Sequence, residues 1–242
     1  MKTKAYIRFL NAIANYDCDI ELMDILKKYT RNDEILKAVF ASANSRQHPK
    51  FTCLRSSQSE MSKRMNHLEN VLYDSMIKIY YESVIAYLHD ILSEAMLQPV
   101  DAVTLVGSEN EKFTSIDILK MGSFEEIRRR LAATIFRKIE NKRNTLLLLT
   151  ELNQRLGLKV DDNVMNKALP YLEMRHLIVH NNSIADEVFC NAYPEFRFHV
   201  NQEIEINYRF IRRAKDTICT MIKQFDEKIV ELNIVRESFL QP

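Results

Sequence analysis

The chain has only three glycines and five prolines in 242 residues, where average usage would give about 17 and 12. Glycine provides the positive-φ positions of most tight turns, and the hairpins of a β-sandwich depend on such positions. The phosphate-binding loops of nucleotide-binding folds are also rich in glycine. The scarcity of both residues therefore argues against a turn-rich β fold and against a glycine-loop nucleotide-binding fold.

Hydrophobic residues recur at spacings of three and four along most of the chain, which is the period of an amphipathic α-helix. Met61, Met65 and Leu68 begin one such series. The pattern predicts four long helices joined by short connections, over 59–97, 123–156, 162–181 and 204–232. Four helices of this kind are typical of a helical bundle.

Several residues mark the ends of the predicted helices. Ser123 followed by Glu126 is a capping-box pattern that opens the second helix, and Gly157 is suited to end it. Asp161 or Asp162 can cap the third helix. Pro170 lies within the third helix, and we expect it either to kink this helix or to mark a restart.

The remaining segments are shorter. Ahead of the bundle we predict short helices over 3–16, 19–28 and 32–43, followed by a polar linker over 42–58. The segments 98–122 and 183–200 are predicted to be irregular, with short strands at most over 103–106 and 196–200. The predicted fold is therefore all-α. It consists of an up-and-down helical bundle over 59–237 and an additional N-terminal helical segment over 1–50, packed on the bundle or tethered to it.

The charge and cysteine content restrict the location and the partners. A net charge of +1 provides no global attraction to nucleic acid or to a membrane. The longest apolar run, 146–149, is far shorter than the ~20 residues that span a bilayer. The N-terminus lacks the features of a signal peptide, and the cysteines form no Cys-x-x-Cys pair. We therefore expect a cytoplasmic protein with reduced thiols and no membrane partner.

One cluster of reactive side chains lies in the third predicted helix, in the segment YLEMRHLIVHNNSIADEVF. His176 and His180 are four residues apart and share one helix face, whereas Arg175 is about 140° around the helix from His180. Cations near the C-terminal end of a helix complement its dipole, and asparagine often ends a helix. A purely structural helix end is therefore the simplest interpretation of these residues and of Asn181 and Asn182.

The segment MRHLIVHNNSIADEVF nevertheless resembles the motif of the HEPN superfamily, whose helical bundles carry an arginine and a histidine separated by four to six residues. The resemblance extends over most of 59–237 and includes GSFEEI at the start of the second helix. It implies a HEPN-like bundle with Arg175 and His180 as the catalytic pair. The chain departs from the commonest pattern by placing His176 where asparagine usually follows the arginine and Ser183 where glycine is frequent.

Many HEPN proteins are metal-independent endoribonucleases of toxin–antitoxin, abortive-infection and antiviral systems, and they act as homodimers. The resemblance therefore implies RNA as the substrate, a homodimer, no cofactor, and an antitoxin or another defence-system protein as a partner. Because some HEPN proteins are inactive, the alternative is a non-catalytic HEPN-like module for dimerisation and protein interaction.

The chemistry of the pair suits RNA cleavage by the 2′-hydroxyl. Histidine can donate or accept a proton near neutral pH, and arginine donates two parallel hydrogen bonds to phosphate oxygens. We expect His180 to act as the acid and Arg175 to stabilise the phosphorane. His176 has three open roles: general base, substrate contact or structural hydrogen bonder.

Other residues are candidates for binding. We expect Asn181 and Asn182 to contact the substrate. Arg128 and Arg129, with Arg130 and Arg137 in the same basic run, can hold an RNA backbone or form a solvated helix face. A second chemical hypothesis places a metal ion between His176 and His180, with further ligands that would include Glu173, Asp186 and Cys190. We expect no metal because the sequence offers no dense set of ligands.

Overall fold

A computed structural model of the chain describes residues 1–29, 32–44, 46–52, 58–98, 105–106, 113–142 and 144–242. The fold is mostly helical, as predicted, and the protein is all-α. The helices are α1 Lys4–Ala14, α2 Asp17–Tyr29, α3 Asp33–Ser42, α4 Pro49–Thr52, α5 Gln58–Ala95, α6 Ser115–Met121, α7 Phe124–Glu140, α8 Thr145–Arg155, α9 Asp162–His180, α10 Glu187–Ala192 and α11 Tyr208–Glu231. Two short 3-10 helices, Pro194–Phe196 and Glu237–Phe239, and two short strands, β1 Lys2–Thr3 and β2 Leu240–Gln241, complete the described elements.

Helix α5 is the centre of the bundle, because α1, α7, α9 and α11 all pack against it. Its tyrosines Tyr73, Tyr80 and Tyr87 are among the largest fully buried side chains. Tyr87 lies edge-on to Phe9 of α1, with the ring centroids 6.3 Å apart. Large aromatic side chains bury much apolar area each, so α5 provides a large part of the core.

The first helix is an integral part of this core. Its apolar face, with Tyr6, Phe9 and Ile13, is buried in the same cluster as the bundle helices. Strand β1, which precedes α1, pairs antiparallel with β2 at the other end of the chain. The two termini therefore lie together beside α11, which also contacts β1.

The second long helix was predicted as one element over 123–156, and this prediction is wrong, because the structure divides it into α7 and α8. Asn141 ends α7, and its backbone N–H bonds the carbonyl of Arg137. Asn144 then caps α8, since its side chain accepts a hydrogen bond from the Leu147 N–H at 2.8 Å. The predicted stop is confirmed: Gly157 follows α8 with a φ of +62°.

The prediction that 98–122 and 183–200 are irregular is wrong in part. Helix α6 occupies part of the first segment and opens with a capping box between Thr114 and Asp117. Helix α10 and the 3-10 turn Pro194–Phe196 lie in the second, and 196–200 is not a strand. Of the possible strand over 103–106, 105–106 is helical and the rest lies outside the described residues.

Two further details of the helix boundaries differ from expectation. Pro170 lies within the continuous helix α9, which neither ends nor restarts there. The last helix begins at Tyr208 with Asn207 as its cap, although Ile204 and Ile206 ahead of it are buried. Within the described ranges, no helix is long and apolar enough to cross a membrane.

Candidate functional site

The candidate motif occupies the C-terminal end of α9. The Asn181 N–H and the Ser183 N–H both bond the carbonyl of Leu177, at 3.0 and 3.1 Å. Asn182 and Ser183 have φ values of +51° and +60°, a conformation that asparagine tolerates better than most residues. The chain therefore turns sharply directly after His180, and the side chains of the last helical turn project at the edge of the bundle.

Ser183 fixes this turn on the central helix. Its hydroxyl donates a hydrogen bond of 2.9 Å to an Asp74 carboxylate oxygen on α5, and Ser183 is 8% exposed. Burial raises the pKa of the Asp74 carboxyl, and the hydrogen bond from Ser183 opposes this increase. The serine of this turn thus has a structural partner.

His176 and His180 lie side by side on the outer face of α9. Both residues are exposed, and their ring centroids are 4.9 Å apart with a tilt of 46°. Their i, i+4 spacing places them one above the other, as expected. Two imidazoles that face solvent are accessible to a substrate or to a second protein copy.

Arg175 points in another direction. It is half-buried, and its guanidinium lies over the Tyr81 ring of α5, 5.2 Å from the centroid. Arg175 also lines a groove of about 420 Å³ between α5, α7 and α9, to which His180 does not contribute. A single copy of the chain therefore does not bring the predicted catalytic arginine and histidine into one pocket.

The predicted substrate-binding residues have local partners. The Asn181 side-chain amide donates to the Ile184 carbonyl at 2.7 Å, which stabilises the turn, whereas Asn182 is exposed. The Arg128 guanidinium donates to the carbonyls of Leu97 and Gln98 just beyond the end of α5, at 3.3 and 2.5 Å.

Arg129 lies 3.5 Å from a Glu94 carboxylate oxygen. The substrate-binding hypothesis for Arg128 and Arg129 stays a prediction, and both arginines have structural roles in the described fold.

The residues considered as metal ligands are dispersed. Glu173 accepts a hydrogen bond of 2.6 Å from the Tyr193 hydroxyl, and Asp186 caps α10 by accepting from the Phe189 N–H at 2.7 Å. In the part of the chain that the structure describes, no group of three or more His, Cys, Asp or Glu side chains could hold a metal ion. The metal hypothesis for His176 and His180 therefore lacks a third ligand there.

The groove beside Arg175 joins Arg137 of the basic run to residues that the sequence analysis did not single out, namely His89 of α5 and Phe136 and Glu140 of α7. Tyr81 of α5 also lines it. The sequence indicates such a groove only through the angle of about 140° around the helix axis between Arg175 and His180, which directs the arginine towards a neighbouring helix. The identity of that neighbour depends on tertiary packing.

Comparison of the chain with models of known protein families, with curated proteins and with solved structures finds no match.

Proposed function

We propose that the protein is a metal-independent endoribonuclease that acts as a cytoplasmic homodimer in a toxin–antitoxin, abortive-infection or antiviral system. The observation that carries this proposal is the exposed pair His176 and His180 at the end of α9, one and five residues beyond Arg175. These residue types supply proton transfer and phosphate binding without a cofactor. The resemblance of the segment to HEPN proteins supplies the substrate class.

In the proposed reaction the 2′-hydroxyl of the RNA attacks the adjacent phosphorus. His180 gives a proton to the departing 5′-oxygen, and Arg175 stabilises the charge on the phosphorane oxygens. His176 accepts the 2′-hydroxyl proton, or it contacts the substrate while a water molecule accepts that proton. The products are a 2′,3′-cyclic phosphate on one fragment and a 5′-hydroxyl on the other.

The homodimer is part of the proposal because one copy separates the two groups. Arg175 faces Tyr81 in the groove, while His180 faces solvent. Two copies that bring their α9 ends together place two histidine pairs at one cleft, and Arg175 then reaches the cleft from its side. The same divergence favours the second candidate, a non-catalytic HEPN-like module for dimerisation and protein interaction, in which the exposed face of α9 binds protein.

The experiment compares RNA cleavage by the wild-type protein with cleavage by Arg175→Ala and His180→Ala, with total RNA as substrate and EDTA in excess. We expect fragments from the wild type and none from either variant. The fragments should carry 2′,3′-cyclic phosphate and 5′-hydroxyl ends. A substrate with one 2′-deoxy sugar at the cleaved position should bind nearly as well and remain uncut, because its phosphates are unchanged.

Matched controls come from residues of the same types elsewhere on the surface. His67→Ala and Arg64→Ala, both on α5, replace exposed side chains outside the motif and outside the basic run, so both variants should cleave as the wild type does. Retained cleavage in Arg175→Ala or His180→Ala would remove that residue from the catalytic pair. Activity that is lost in EDTA and restored by zinc or manganese would instead favour a metal bound by His176 and His180. Intact RNA in all samples would favour the interaction module.

A further inference from the structure

The groove between α5, α7 and α9, named here the Arg175 groove, holds cationic side chains from two helices in one concave site. Arg175 comes from α9 and Arg137 from α7, and His89 of α5 also lines the groove. Its volume of about 420 Å³ lies within the roughly 300–1,000 Å³ typical of small-ligand sites. The groove is therefore large enough for a nucleotide unit.

The two arginines of the groove form no direct ion pair, although the carboxylates of Glu82 and Glu140 also line the site. Neither Arg137 nor Arg175 makes a salt bridge with any residue that the structure describes, whereas Arg155 of α8 pairs with Glu151 at 2.5 Å. The guanidinium of Arg175 is held in place by the Tyr81 ring rather than by an acid. A guanidinium that stacks on an aromatic ring keeps its N–H donors free for an anion.

His89 is also held in a defined position. Its ring lies edge-on to Phe136, with centroids 5.2 Å apart, and its Nδ1 is 3.7 Å from an Asp90 carboxylate oxygen. Asp90 in turn accepts a hydrogen bond of 2.6 Å from Arg8. With Nδ1 directed at Asp90, the other ring nitrogen accepts a hydrogen bond in the neutral imidazole and donates one to an anionic ligand only in the imidazolium form.

We propose that the Arg175 groove binds a phosphodiester of single-stranded RNA, with Arg137 and Arg175 donating to the phosphate oxygens and His89, in its imidazolium form, as a third donor. This inference rests on the proposed function for the identity of the ligand. It extends the substrate-contacting surface from the end of α9 to α5 and α7. It also gives Arg175 a binding role within a single copy of the chain.

The two carboxylates at the groove, Glu82 and Glu140, set a limit on what binds there. Both residues are exposed, and they repel a phosphate at short range. Free inorganic phosphate should therefore bind weakly, because only a ligand with further contacts overcomes this repulsion. Replacing Glu140 with glutamine should strengthen RNA binding.

The test measures the affinity of the full chain for a fluorescein-labelled 2′-O-methyl oligonucleotide, which has the RNA backbone but no 2′-hydroxyl nucleophile. Fluorescence anisotropy at several salt concentrations gives both the Kd and its salt dependence. We expect Arg137→Ala and Arg175→Ala each to weaken binding about tenfold, the loss of one hydrogen bond to a charged group. Each should also reduce the slope of log K against log salt by about 0.7, the value for one phosphate contact on a single strand.

Arg64→Ala is the matched control. Arg64 lies on α5 well before the groove residues of that helix, carries the same charge, is exposed, and is not part of the groove. Its removal should leave the Kd within about twofold of the wild type, since long-range effects of one exposed charge are screened by salt. Arg175→Lys and His89→Gln test geometry without a large loss of volume, and both should bind more weakly than the control.

The outcomes separate this inference from the proposed function. Arg137→Ala that binds with the wild-type Kd and salt slope would overturn the groove as an RNA site, even if the wild type cleaves RNA. A wild type with no affinity for the oligonucleotide would overturn it as well. Binding that depends on Arg137 and Arg175 in a protein that cleaves no RNA would support the groove and refute the nuclease.

Discussion

Removal of the Asp226 carboxyl should be among the most destabilising single changes in this protein. Asp226 of α11 is 2% exposed and joins three parts of the fold. Its carboxylate accepts hydrogen bonds from the N–H and the hydroxyl of Thr3, at 3.1 and 2.5 Å, and from the Tyr87 hydroxyl at 3.3 Å. Thr3 in turn caps α1, because its hydroxyl oxygen accepts from the Tyr6 N–H at 3.0 Å.

The magnitude follows from these contacts. In Asp226→Ala the two donors of Thr3 lose a charged acceptor, at about 1.5 kcal/mol each, and the longer bond from Tyr87 adds about 0.5–1 kcal/mol. Burial raises the pKa of the Asp226 carboxyl, so its desolvation opposes folding and its removal offsets a small part of this loss. The net loss is about 3 kcal/mol, a large part of the roughly 5–15 kcal/mol of a typical domain.

Urea unfolding followed by circular dichroism measures this loss. The midpoint should fall while the m-value stays constant, and the Tm should fall by roughly 6–12 °C for a chain of this size. Glu227→Ala is the control. Glu227 is the next residue on α11 and forms an ion pair with Lys223 in which each side chain is 62% exposed. The free energy of unfolding of this variant should therefore stay within about 0.5 kcal/mol of the wild type. A cost below about 1 kcal/mol for Asp226→Ala would refute the reasoning.

The pH dependence gives a second check on the same residue. The folded pKa of Asp226 is raised above its ordinary value, so the folded state binds the proton more tightly than the unfolded state does. The stability that Asp226 contributes is therefore greatest below the unfolded pKa and declines as the pH rises through the raised pKa. The difference in the free energy of unfolding between the wild type and Asp226→Asn should show this trend. A difference that grows with rising pH would contradict it.

Three further predictions concern the bundle and its assembly. Arg236→Ala removes hydrogen bonds to Glu94 and Glu125, at 3.1 and 2.7 Å, and should cost about 1–2 kcal/mol in urea unfolding; an unchanged midpoint would show that the pairs contribute nothing. Gly157→Ala should cost about 1 kcal/mol because φ is +62°, although a Cβ there meets no atom within 4 Å. Light scattering at micromolar concentration should report a homodimer, and a monomer with full nuclease activity would rule out the dimeric cleft.

The long helices were predictable because their apolar faces repeat over many turns. α5 was predicted over 59–97 and is observed over Gln58–Ala95. The short helices α6 and α10 have seven and six residues, too few for a periodic signal. Their formation depends on buried side chains such as Met121 and Phe189 that pack on the rest of the fold.

Two other features were beyond local sequence patterns for different reasons. The pairing of β1 with β2 joins the two ends of the chain, so no nearby residues indicate it. The division between α7 and α8 had a local signal in Asn141 and Asn144, but the apolar spacing continued across it. Caps therefore deserve more weight than periodicity when both occur at one position.

The candidate site shows where a sequence motif stops being informative. Two side chains five residues apart on a helix differ in direction by about 140° around its axis. The spacing of Arg175 and His180 therefore predicts that they face different neighbours. Arg175 faces α5 and α7, whose residues His89 and Arg137 line the Arg175 groove with it. If His180 is the acid, a substrate phosphate must reach both faces of α9 across its edge or across two copies of the chain. The arginine variants distinguish these two arrangements. Only the arrangement in which the substrate crosses the edge of α9 within one copy requires Arg137 for affinity in a monomeric protein.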